Sequence, residues 1–130
     1  MATANQVYRF PNPPQKLTVG TSPGSTTSSE PFIVPQGMKV VTVFFPDFAT
    51  STAVVLEALT PLADVESSQT WVAVQITKLD TITAVAMSFA DNKTYTLPCT
   101  ALGGGILRWT VADTQASSPV NIYMIYSRDG

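Results

Sequence analysis

Six consecutive residues, Val40-Val41-Thr42-Val43-Phe44-Phe45, constrain this chain more than any other stretch. All are β-branched or aromatic, with Gly37 upstream and Pro46 immediately downstream. A run that short, of those residue types and with those stops, predicts a strand buried on both faces or nearly so. A helix would need a longer segment richer in Ala, Leu, Glu and Lys. The segments that follow read as further strands packed around it. The segments before it read differently.

From Phe32 onward the chain is dense in strand signals. Phe32-Ile33-Val34 ends at the turn Pro35-Gln36-Gly37, and Met38 to Phe45 is the central strand. Ala53 to Leu59 carries Ala and Leu, but its Val-Val pair and its brackets Pro46 and Pro61 favour strand. Trp71 to Thr77 alternates, with Trp71, Ala73 and Gln75 opposite Val72, Val74 and Ile76. Leu79 to Phe89 predicts a strand or two short pieces. The turn Asp91-Asn92-Lys93 then predicts a hairpin into Thr94–Leu97. Ile106 to Val111 places Leu107, Trp109 and Val111 on one side. Val120 to Tyr126 places Asn121, Tyr123 and Ile125 opposite Val120, Ile122, Met124 and Tyr126. About eight strands spaced near ten residues, with no amphipathic helix of normal length, predict an all-β antiparallel β-sandwich or jelly roll.

Residues 1–31 form a separate block, ahead of a sandwich domain at 32–130. The block holds Pro11, Pro13, Pro14, Pro23 and Pro31, five of the chain's ten prolines. Thr21 to Ser29 is of low complexity and almost free of apolar side chains. Proline fixes φ and removes a ladder donor, so the block is expected to be extended. Composition alone reads as a disordered leader. Two apolar clusters, Val7 to Pro11 and Leu17 to Val19, favour an arm that lies on neighbouring subunits instead. At about 3.3 Å per residue it would reach roughly 100 Å. Tyr8, Phe10, Pro11, Leu17 and Val19 are its expected partner contacts.

Charged residues make up only 12% of the chain, about half the globular average. A surface so poor in charge suits a protein covered by partners, or one with a Ser/Thr-coated β surface. Seven basic and nine acidic residues leave a net charge of −2 and no basic stripe, so no nucleic-acid partner is expected. No apolar stretch approaches the length of a membrane span. The single Cys99 cannot form an internal disulfide, which fits folding in a reducing cytosol. Histidine is absent, which removes Ser-His-Asp and Cys-His chemistry and the common zinc sites.

The remaining chemical candidates are weak. Gly103-Gly104-Gly105 precedes a strand and lacks the spacing of a phosphate loop. Asp64 and Glu66 share a loop, and Asp47, Asp91 and Asp113 lie in others, without the oxygen count of a calcium loop. A carboxylate pair hydrolysing a glycosidic bond would need a cleft that a sandwich this small has little room for. Trp71, Trp109, Tyr95, Tyr123 and Tyr126 are candidates for a sugar-stacking platform, though strand tryptophans are more often core. Cys99 reads as an inert packing residue. No enzymatic activity and no cofactor or metal are expected.

The order of features from Phe32 onward resembles a small β-sandwich virion protein of tailed bacteriophages. The resemblance rests on Val34-Pro35-Gln36-Gly37, then on an apolar strand ending in Phe45-Pro46-Asp47-Phe48, then on Ala53 to Leu59. It continues through Leu97-Pro98-Cys99-Thr100-Ala101-Leu102-Gly103, Leu107-Arg108, Gln115 and a final aliphatic strand ending in Arg128. It departs at Glu57 to Glu66, which lacks the Ser-x-Asp-Gly hairpin of many such proteins. The resemblance implies a capsid decoration or cement protein on the outer surface of the head, made in the host cytoplasm. It would clamp adjacent major capsid protein subunits as a homo-oligomer, a trimer in preference to a dimer. A tail, neck or fibre component, or a glycan-binding sandwich, is the alternative.

Overall fold

A computed structural model describes residues 13–48, 53–61, 69–78, 83–112, 115 and 119–129. The expected all-β sandwich is what the chain forms. Its strands are β1 (Gln15–Val19), β2 (Val40–Phe44), β3 (Ala53–Leu59), β4 (Trp71–Ala73), β5 (Gln75–Lys78) and β6 (Thr83–Ala86). They continue with β7 (Ser88–Ala90), β8 (Thr94–Pro98), β9 (Leu107–Val111) and β10 (Val120–Ser127). A single helical turn, α1 (Cys99–Leu102), follows β8.

The first sheet has the order β1-β10-β2-β8, all antiparallel. The second is centred on β3. Strand β9 pairs with β3 along Val54 to Ala58. The other edge of β3 is shared, with β7 on Ala53 to Val55 and β4 on Glu57 to Leu59. Between them the Leu56 amide donates to the Met87 carbonyl, and the Val74 amide to the Leu56 carbonyl. At that point the chain bends at Val74 and at Met87, and β5 and β6 pair with each other apart from both sheets. The two bends split two long strands and raise the segment count above the expected eight.

Alternation fills the interior. The first sheet sends in Leu17, Val19, Val41, Val43, Ile122, Met124 and Tyr126; the second sends in Val54, Leu56, Met87, Leu107, Trp109 and Val111. Burial of each large aliphatic side chain stabilises the fold by about 1.5–3 kcal/mol. Trp109 is fully buried at the centre. Its ring stacks on Phe32 at 5.8 Å and meets Phe45 edge-on at 5.1 Å. Its indole N–H donates to the Met124 sulfur at 3.4 Å, joining one sheet to the other.

The low-complexity tract is part of this body. Expected as an arm, residues 13–31 instead open with β1, registered on β10 from Gln15↔Met124 to Val19↔Val120. Leu17 and Val19 are 1% and 0% exposed and belong to the core, so neither is a partner contact. The start of the sandwich therefore lies at β1, not at Phe32. The misreading has a physical source: the partner strand of β1 lies more than one hundred residues downstream, beyond any local pattern. Tyr8, Phe10 and Pro11 lie outside the described residues.

After β1 the chain crosses from the first sheet to the second. Gly20 makes the turn at φ +115°, and a Cβ there would lie 2.6 Å from the Gln115 carbonyl oxygen. Residues 26–32 then run along the free edge of β9. The Val111 amide donates to the Thr27 carbonyl, the Trp109 amide to Ser29 Oγ, and the Leu107 amide to the Phe32 carbonyl. The Ser29 and Phe32 amides donate back to the Trp109 and Leu107 carbonyls. A serine hydroxyl here takes the place of a ladder carbonyl.

Two other local expectations change. Phe32-Ile33-Val34 is a single bridge, Phe32↔Leu107, not a strand. Asp91-Asn92-Lys93 does not close a hairpin, because β7 lies in the second sheet and β8 in the first. Asn92 adopts φ +53°, which asparagine tolerates, and its amide donates to the Pro46 carbonyl.

Two consequences are measurable. Ser29→Ala removes the acceptor of a buried amide and is expected to cost about 1–3 kcal/mol. Thr42→Ala, on an exposed face, should cost no more than about 0.5 kcal/mol. Urea unfolding midpoints compare the two. Deleting residues 1–12 should leave a cooperative thermal transition by circular dichroism, whereas deleting residues 1–28 should abolish it because Leu17 and Val19 leave the core.

Candidate functional site

The outer face of the first sheet carries an apolar strip, Val40, Phe44, Tyr123 and Ile125, among Lys16, Thr18, Thr42, Thr94, Thr96 and Asn121. Strand β2 buries Val41 and Val43 and turns Val40, Thr42 and Phe44 outward, where they are half-buried. The expectation that this run is buried on both faces thus holds for one face within the chain. Strand β10 does the same, with Ile122 and Met124 inward and Asn121, Tyr123 and Ile125 outward. Register sets these side chains in rows: Tyr123 opposite Phe44, and Ile125 opposite Thr42. On the flanks, Lys16 lies opposite Tyr123, and Thr96 lies opposite Thr42.

A groove of about 300 Å³ runs across this face, lined by Pro14, Phe44, Tyr123 and Ile125. Its surface is apolar, and Tyr123 is 39% exposed. Pro14, immediately before β1, forms one wall.

The five rings considered as a sugar platform are not brought together. Trp109 is in the core. Tyr95 stands edge-on to Phe45 and Phe89, and its hydroxyl accepts the Ala90 amide. Tyr126 is buried, and its hydroxyl donates to Gln15 Oε1 at 3.1 Å. Trp71 is half-buried on the outer face of the second sheet, with the Arg108 guanidinium 4.4 Å from its ring centroid. Arg108 Nε donates in turn to Glu57 Oε1 at 2.7 Å, a partly exposed pair across β3 and β9. Tyr123 alone of the five stands exposed, on the opposite sheet.

Of the loop acids, Asp64, Glu66 and Asp113 lie outside the described residues. The loops of Asp47 and Asp91 are tied together, since the Phe45 amide donates to the Lys93 carbonyl beside the Asn92–Pro46 bond. Among the described residues, no group of three or more His, Cys, Asp or Glu is placed to hold a metal. No helix among them is long and apolar enough to cross a membrane. Gly103 to Gly105 are exposed beside α1 and lead into β9.

Sequence reasoning passed over Phe44, Tyr123 and Ile125 as contact residues. The signal was present: the outward positions of the final strand, Asn121, Tyr123 and Ile125, are mostly apolar, and so are those of β2.

No protein-family model matches the chain, and no curated protein matches it. Among solved structures, the crystal structure of the SPBc2 prophage-derived protein YomS aligns with a TM-score of 0.46 and 18% identity. The alignment covers 94% of this chain and 98% of that one. A likeness at that level carries no argument about activity or partners.

Burial shifts two protons at the inner side of the same sheet. It raises the Cys99 thiol above its ordinary value, which lowers its thiolate fraction. Burial, followed by the neighbouring Cys99, pushes the Tyr126 hydroxyl up to about 12. The folded state therefore holds this proton more tightly than the unfolded chain, whose tyrosines ionise near about 10. The corresponding stability is intact below about pH 10 and is lost as pH rises toward 12. Urea midpoints of the wild type should fall across that window, and Tyr126→Phe should flatten the fall.

Proposed function

We propose that this chain is a structural virion protein of a tailed bacteriophage, of the capsid decoration type. The observation that carries the reading is the mismatch on β2. Its sequence suits burial on both faces, and the chain itself covers one fully, leaving Val40, Phe44, Tyr123 and Ile125 as an apolar strip on the outer face. A protein whose charge content is this low and whose sheet presents such a face is built to be covered by another protein surface. The turn punctuation shared with phage virion sandwiches supports the same class.

In this reading the module adds no chemistry. It contributes buried surface between the major capsid subunits it bridges. One such contact is weak, and many copies fixed on one lattice must release together, so the shell resists internal pressure as a whole. In the same reading Tyr8, Phe10 and Pro11 would supply further partner contacts.

Copy number in purified particles, with its position by electron microscopy, tests the assignment. Hundreds of copies on the outer head surface are expected. A few rings at the neck or tail would transfer the module to the tail, neck or fibre alternative. Absence from particles overturns the virion reading.

A further inference from the structure

The outer face of the second sheet carries a row of apolar side chains, from the segment after Phe32 across β9 and β3 to β4. Phe32 pairs with Leu107 and both point inward, so Ile33 and Ile106 beside them point out, 61% and 39% exposed. The Leu59 amide donates to the Ile106 carbonyl, and Leu59 stands opposite Trp71. The row therefore runs Ile33, Ile106, Leu59, Trp71. The next row holds one charge of each sign: Arg108 lies opposite Glu57, with 2.7 Å between Nε and Oε1. Beyond it Thr110 lies opposite Val55.

A line drawn between β9 and β3 divides this face into halves that complement each other. Ile106 and Leu59 stand one on either side of it, as do Arg108 and Glu57. Ile33 and Trp71 stand one chain segment further out. A two-fold axis along that line turns a second copy onto the first so that each residue meets its mate from the other half. Ile106 then meets Leu59, Ile33 meets Trp71, and the two Arg108–Glu57 pairs meet with charges opposed. An axis across the strands at the charged row would set Arg108 against Arg108. The charge arrangement thus names the occupant as a second copy, with the strands of both copies running the same way. Sheets packed face to face keep their strand directions within about 30°, so ordinary sandwich geometry accommodates the contact.

We propose that this chain forms a two-fold dimer through the Ile33–Ile106–Leu59–Trp71 row, with Arg108 of each copy facing Glu57 of the other. Each guanidinium and carboxylate gains a second partner, which offsets the desolvation of a pair that is partly exposed in the single chain. The Arg108 guanidinium already lies 4.4 Å from the Trp71 ring centroid, so little side-chain freedom is lost on docking. The contact belongs to the free protein and needs no capsid, so its failure leaves the virion reading standing, and the reverse.

Charge exchange, read by analytical ultracentrifugation, tests it. Arg108→Glu makes a face with two acids, and Glu57→Arg a face with two bases. Each variant alone should raise the dimer dissociation constant at least about tenfold. Mixed in equal amounts, the two should form a heterodimer, because every acid then faces a base. Ile33→Asp, at the most exposed position of the row, should weaken the dimer by a similar factor and carries the test should a charge variant fold poorly. Thr96→Glu, on the outer face of the other sheet, should sediment as the wild type does. Wild-type protein that stays monomeric at every concentration overturns the proposal. So does a dimer that Ile33→Asp leaves intact or that Thr96→Glu dissociates, and so do folded charge variants that fail to associate on mixing.

Discussion

The hydrogen bonds between the Thr27–Phe32 strap and the outer edge of β9 hold this architecture in place. Strand β9 carries Trp109, and Trp109 is where Phe32, Phe45, Phe89 and Met124 converge from both sheets. Left open, that edge would present the amides of Leu107, Trp109 and Val111 and the carbonyls of Leu107 and Trp109 to solvent or to another chain. The strap satisfies all of them. It begins at β1, so one continuous segment is hydrogen-bonded to the first sheet and then to the second. The two layers are thus tied by covalent chain as well as by packing. Gly20 and Gly24 are the points at which that crossing runs too close to other backbone for a side chain.

The strap explains why composition misled and periodicity did not. The alternations of Leu107-Arg108-Trp109-Thr110-Val111 and Ile122 to Tyr126 adopt the orientation their pattern predicts, whereas that of Trp71 to Thr77 is broken at Val74 and leaves Val72 exposed. Such alternation depends only on the chain's own two-residue period. Thr21 to Ser29 has no such period, and its polarity reads as disorder. Its order comes from hydroxyls and carbonyls meeting a strand eighty residues away, as at Ser29 and Trp109. Leu17 and Val19 were legible as apolar but not as inward, because their register on β10 is set by the far end of the chain. The Asp91–Lys93 turn was recognisable as a turn. Which sheet each flanking strand joins was not, since a hairpin and a crossover between sheets use the same turn residues.

The edges that remain are treated unequally. On β1, Glu30 accepts the outward Thr18 amide at 2.8 Å, which blunts that side. On β8 the edge strand ends in Pro98, which has no amide to offer. These devices discourage pairing by backbone, the route by which sandwiches aggregate. The face of the same sheet carries its apolar groove between Lys16 on one flank and Thr42 and Thr96 on the other. A chain that protects its edges and leaves one face apolar favours association through side chains on that face.

That choice bears on how an assembly of such modules would behave. Edge pairing is cheap in sequence and poor in specificity, because any extended backbone can supply it. A shaped apolar groove demands particular rings at a particular spacing. Here the groove walls Pro14, Phe44, Tyr123 and Ile125 come from β2, β10 and the residue before β1, so their spacing is set by the register of the sheet. On the other side of the same strand, Leu17 and Val19 hold β1 in the core. Core and groove therefore share one sheet and one register, so a one-residue slip of β1 on β10 would disturb both.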